Sequence, residues 1–235
     1  GSDAGTLSAQ MAQTISSVAQ TTLTAATAVG KAQVRAQASA DHSKSITVKF
    51  LPGPPATVSL RAVPASIEPD GEADLLAEAL DTFGNPVADG TEAHFRTTRG
   101  RLSVDRVQTQ QGRAQIRLAA NGSVGQADVS VQVGQQSTSE QVLFVGGAPH
   151  RLDLAADSPE VEVSRQVRIR LRVMDSWGNP VVDGTAVTFQ SSSGSVLPGT
   201  NNTSSGQASA ATSAGPHPGL PTDTAFVAQK TNSVD

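Results

Sequence analysis

The side chains in this sequence that could do chemistry are few and far apart. His42, His94, His150 and His217 form no His-x-x-x-His or His-Glu pair of the kind that binds zinc, and a chain without cysteine has no thiolate nucleophile and no Cys-ligated metal. A Gly-x-Ser-x-Gly elbow, a phosphate loop and a dinucleotide fingerprint are all missing. This reading contains no catalytic residue and no cofactor. Carboxylates are the better candidates. Asp81 with Asp89, and Asp175 with Asp183, could offer oxygens to Ca²⁺ at a domain junction, although such a site wants six to eight oxygens and the spacing follows no known calcium loop. Arg168, Arg170 and Arg172, with Arg165 and Arg151 nearby in sequence, could form a basic face for an anionic ligand or simply a solvated sheet surface. Trp177, the single tryptophan, is a candidate binding anchor or an end cap.

The elements that carry these residues follow from a repeat. Asp81-Thr-Phe-Gly-Asn-Pro-Val-Ala-Asp-Gly-Thr91 returns as Asp175-Ser-Trp-Gly-Asn-Pro-Val-Val-Asp-Gly-Thr185, an offset of 94 residues. Gly-x-Leu-Ser occurs at Gly5 and Gly100 and is echoed at Gly194, and Phe50-Leu-Pro-Gly-Pro-Pro55 returns as Phe144-Val-Gly-Gly-Ala-Pro149. Three markers share one period. The 235 residues then divide into the second half of one unit (1–52), a whole unit (53–147) and a third unit without its last strand (148–235). Gly1-Ser2 reads as a remnant of expression, so the natural chain is expected to continue on both sides.

Within a unit the hydrophobic period is two. Val167, Ile169, Leu171 and Val173 alternate with polar residues, as do Ala73, Leu75, Ala77 and Ala79, then Ala114, Ile116 and Leu118, and Ala127, Val129, Val131 and Val133. Short alternating runs punctuated by Gly, Pro, Asn and Asp predict an all-β β-sandwich of about seven strands per unit. Met11, Ile15 and Val18 would also suit an amphipathic helix, but the repeat register favours a strand there. In the recurrent motif, Gly84, Asn85 and Pro86, like Gly178, Asn179 and Pro180, have the chemistry of a tight turn. Asp81 and Asp175 can accept backbone N–H groups across it. The proline-rich 51–55 linker should be stiff and Gly146-Gly147 looser.

The Asp-x-x-Gly-Asn-Pro-Val turn, the Gly-x-Leu-Ser step and a linker ending in Gly-x-Pro, repeated about every 95 residues, resemble the bacterial Ig-like group 1 (Big-1) domains found in tandem in invasin- and intimin-type surface adhesins. The resemblance implies tandem immunoglobulin-like sandwiches in an elongated array. It also implies a non-catalytic stalk at the bacterial cell surface that displays a distal binding domain. The partners it implies are neighbouring Ig-like domains, with a host receptor or glycan reached through domains outside this sequence. The alternatives are a carbohydrate-binding accessory module of a secreted protein, which would want more aromatic residues than Trp177, and a surface-layer or filament subunit. A formal charge of −4 without basic blocks argues against nucleic acid, and no apolar run is long enough to span a bilayer. The incomplete end units could pair in a strand-swapped homodimer.

Overall fold

The computed structural model describes residues 5–162 and 164–213 and the backbone of the strand Asp223–Val227. The Gly215–Pro221 loop with His217, and the chain after Val227, lie outside the described residues. Every element in the described residues is a strand, a turn or irregular chain; none is a helix.

The whole unit is a two-sheet sandwich. One sheet runs in the order Thr57–Val63, Glu72–Leu80, Arg113–Ala119, Arg101–Leu102, and the other in the order Arg106–Gln108, Glu92–Thr97, Gly125–Val133, Gln136–Phe144, Ser66–Ile67. All ladders are antiparallel except the short parallel contact of Ser66–Ile67 with Gln136–Phe144. The alternation seen in the sequence sends one side of each strand inward. Leu75, Leu118, Phe95, Phe144, Val129, Val131 and Val142 are buried between the sheets, each contributing about 1.5–3 kcal/mol of transfer free energy.

The next unit repeats this plan. Arg151–Ala156, Gln166–Met174, Gln207–Ser213 and Ser195–Leu197 form one sheet, and Thr200–Asn202, Ala186–Ser191 and Asp223–Val227 the other. Register is conserved along with order: Val133 pairs with Ala93, and 94 residues on Val227 pairs with Val187. The two cores reach similar volume by opposite choices. Ala77, Ala79, Ile116 and Leu118 line the middle core, and 94 residues on the same inward positions hold Leu171, Val173, Ala210 and Thr212, large residues having changed strand.

The first segment supplies Gly5–Leu7 paired with Leu23–Ala25, and the hairpin Gly30–Ser39 with His42–Phe50. Its Val48 and Phe50 are only half-buried, although Val142 and Phe144 at the same repeat positions are sealed. The Gly-x-Leu-Ser marker has a steric origin. Gly100 holds φ +77° beneath Phe144, where a Cβ would sit 2.9 Å from the ring, and Gly5 lies under Phe50 in the same way.

Met11–Val18 is neither helix nor continuous strand. Met11 and Ile15 are 91% and 79% exposed, and Ile15 pairs with Val18 in a lone bridge across Ser16-Ser17, both at positive φ. The same bridge closes Gln110–Arg113 across Gln111-Gly112 and Ser204–Gln207 across Ser205-Gly206, with positive φ at both central residues each time. The segment is therefore a loop closed by a two-residue turn of the I′ kind, a further mark of the repeat. The expectation of a strand fails here because the apolar residues have no sheet to face.

Candidate functional site: the repeated joint between units

The Asp81–Pro86 turn is built by its own backbone and locked by one carboxylate. Asp81 N–H donates to the Asn85 carbonyl at 2.8 Å, Gly84 N–H returns to the Asp81 carbonyl at 3.1 Å, and Gly84 takes the positive φ (+79°) that this closure requires. Asp81 Oδ1 accepts the N–H groups of Phe83 (2.8 Å) and Asn85 (2.9 Å). Its Oδ2 reaches outside the turn to accept Gly53 N–H at 3.0 Å, so the carboxylate fastens the linker that enters the unit. Asn85 completes the arrangement. Its Nδ2 donates to Asp81 and to the carbonyl of Thr27 (2.7 Å), and its Oδ1 accepts Val29 N–H (3.3 Å), both from the preceding unit.

The second joint reproduces the first. Asp175 Oδ1 accepts Trp177 N–H (2.9 Å) and Asn179 N–H (2.8 Å), and its Oδ2 accepts Gly147 N–H (3.1 Å). Asn179 Nδ2 donates to Asp175 and to the Gly122 carbonyl of the preceding unit, each at 3.1 Å. At both joints, one Asp holds the linker and one Asn holds the neighbour.

The electrostatics follow from these donors. Both aspartates are only 3% exposed, yet neither is an orphan. The Asn85 amide, and then the backbone N–H groups of Gly53, Asn85 and Phe83, lower the Asp81 carboxyl to about 2 against the opposing push of burial. At Asp175 burial pushes upward most strongly. The donors Gly147, Asn179 and Trp177 together outweigh it and hold the carboxyl below its ordinary value.

The other two aspartates serve a different partner. Asp89 Oδ1 accepts Gln111 N–H at 2.6 Å and Asp183 Oδ1 accepts Ser205 N–H at 2.5 Å, tying down the two-residue turn that packs on Pro86 or Pro180. Among the described residues no three His, Asp or Glu groups gather as metal ligands. All four carboxylates considered for Ca²⁺ thus already accept N–H bonds.

Trp177 lies at the joint. An added Cβ at Gly122 would collide with its indole ring, Cζ3 lying 2.8 Å away, so the ring rests on bare backbone of the preceding unit while staying 57% exposed. Phe83 occupies the same slot at the first joint, at 65% exposure. Gly146-Gly147 proves close-fitting rather than loose. A side chain on Gly146 would strike the Pro180 carbonyl and lie 2.8 Å from Val181, so the glycine is there to let two backbones touch. The residues missed from sequence are the acceptors Thr27 and Gly122 and the linker donors Gly53 and Gly147. Their one legible signal was the 94-residue offset between the two linker glycines. Arg168, Arg170 and Arg172 stand on the solvent face of Gln166–Met174, away from the joint motif.

The same architecture occurs in solved bacterial proteins. Invasin, a bacterial integrin-binding protein, superposes with a TM-score of 0.66 at 21% identity, covering 89% of this chain and 45% of that structure. FdeC, an Escherichia coli adhesin, gives 0.59 at 16% identity over 89% of this chain and 72% of that one. Yersinia pseudotuberculosis InvD gives 0.56 at 21% identity over 74% and 54%. The fold is that of the Ig-like domains of these invasin-type proteins, and the chain spans under half the length of the invasin structure. No family model and no curated relative matches the chain.

Proposed function

We propose that the chain is a non-catalytic stalk segment of a bacterial cell-surface adhesin, its Ig-like units acting as spacers that hold a distal binding domain away from the cell. The observation that carries this reading is the joint. Nearly the same set of hydrogen bonds fastens linker and neighbour at both unit boundaries, and each set draws on a residue of the preceding unit. Repetition here is spent on connection. Short fastened linkers restrict bending, whereas a flexible tether of similar length would leave the units free to turn. The fold likeness to invasin, FdeC and InvD supports the surface-adhesin context.

Small-angle X-ray scattering tests the reading. Units of about 40 Å set end to end give a radius of gyration of about 30 Å, from strand rises of about 3.3 Å per residue plus end loops. A compact particle of this length would give about 18 Å. A value near the compact figure would overturn the proposal.

A further inference from the structure

The solvent face of the sheet containing Gln166–Met174 differs in charge layout from its counterpart one unit earlier. Arg168, Arg170 and Arg172 follow one another on one side of a single strand, about 6.8 Å apart. The strand paired on one flank sets Ala211, Ser209 and Gln207 directly opposite them, all uncharged. On the other flank Asp157 binds Arg170 at 2.8 Å, and Asp153, opposite Arg172 in register, binds Arg151 at 3.0 Å. No carboxylate among the described residues stands within ion-pair distance of Arg168 or Arg172.

The fold does not demand this row. Ninety-four residues earlier the same positions are Asp74, Leu76 and Glu78, and the facing strand answers with Arg117 and Arg113. Arg113 bonds Glu78 at 3.2 Å, and Arg117 approaches Glu72 at 3.3 Å and Asp74 at 3.8 Å. One unit neutralises the face internally, while its neighbour leaves two guanidinium groups available. Beside Arg168 lies an open cleft of about 350 Å³, lined by Arg168 and the Asp157-paired Arg170 together with Asn202, Ser204, Gln207 and Ser209. Its lining is rich in hydrogen-bond donors and holds no aromatic or large aliphatic side chain, which disfavours a lipid surface and suits a hydrated polyanion.

We infer that this face is a docking surface for an acidic polysaccharide, with Arg168 and Arg172 contacting successive anionic groups and the amide and hydroxyl side chains of the cleft binding sugar oxygens. Planar guanidinium groups bind sulfate or carboxylate by paired N–H donors, and two free groups four residues apart on one strand, about 14 Å, suit a polymer carrying spaced charges better than a single ion.

The test is affinity chromatography and titration of the full chain on two probes, heparin for sulfate and polyglucuronate for carboxylate, with salt varied. Retention on either that weakens as salt rises, together with at least tenfold weaker binding by Arg168→Ser/Arg172→Ser, supports the surface, and the preferred probe names the anion. Arg106→Ser, on the opposite sheet of the middle unit, should bind as the wild type does. Circular dichroism should show both variants folded, since all three side chains are exposed. The inference fails if neither probe is retained, or if the double variant binds like the wild type. It also fails if Arg106→Ser lowers binding equally, or if the chain binds anionic phospholipid vesicles but neither polysaccharide.

Discussion

If the joint forms in solution, Gly122 and Trp177 must be energetically coupled although they belong to different units. The perturbation is Gly122→Ala, made alone and with Trp177→Ala. Gly122 holds φ +78°, so alanine there costs about 1 kcal/mol of backbone strain in any background. With the indole in place, the new methyl also meets the ring at distances no Cβ tolerates, Cζ3 being 2.8 Å away. The ring must then lift from Gly122, which forfeits its contact and strains the Asn179 bond to the same carbonyl. A further loss of about 1–2 kcal/mol is expected, within the range for residues in direct contact. The assay is denaturant unfolding followed by circular dichroism across the four-protein cycle, with tryptophan emission of Gly122→Ala as a second readout. The single variant should lose about 2–3 kcal/mol and shift its emission to the red. In the Trp177→Ala background the same substitution should cost only the strain. A coupling below about 0.3 kcal/mol, the level at which distant sites add, would refute an indole seated on the neighbouring unit.

Three further outcomes follow from the same geometry. Asp175→Ala removes the acceptor shared by Gly147, Trp177 and Asn179 N–H groups and should cost roughly 3 kcal/mol in denaturant unfolding, while Asp175→Asn, which keeps one carbonyl oxygen, should cost less. Because Asp81 is held at about 2 against about 3.9 in an unfolded chain, its contribution is complete above about pH 4 and drains away as pH falls toward 2. Thermal midpoints should accordingly be flat from pH 6 to 5 and drop between 4 and 2, and Asp81→Asn should flatten that drop. Ser17→Gly relieves a serine at φ +65° where the two later turns have Gly112 and Gly206, and should slow amide exchange at Ile15 and Val18 by about fivefold, a gain near 1 kcal/mol.

Much of the fold was legible because its code is local. Val167, Ile169, Leu171 and Val173 point inward as their alternation requires, and the 94-residue offset recurs in the register of Val133 with Ala93 and Val227 with Val187. Asp81 and Asp175 accept the turn N–H groups expected of them, because a carboxylate two and four residues before those donors can hardly avoid them. The reach of Asn85 and Asn179 into the preceding unit was not legible, since the acceptors are main-chain carbonyls at Thr27 and Gly122 and a carbonyl leaves no residue-type signature. Ile15–Val18 misled for a related reason. A turn with Ser-Ser in place of the Gln-Gly or Ser-Gly of its counterparts lacks the glycine that announces positive φ.

Each joint is assembled wholly from chain lying within one repeat length on either side of it, with the fastening Asp and Asn in the following unit and main-chain acceptors in the preceding one. Deleting or duplicating 94 residues in frame therefore brings an Asp–Asn turn against main-chain acceptors of the same kind. The ring of Phe83 or Trp177 must still match the residue beneath it, since Trp177 sits on Gly122 where the acceptor in the first segment is Thr27. An array of this kind can lengthen or shorten by recombination between its own copies, each product inheriting the main-chain fastening and having only the ring contact left to adjust.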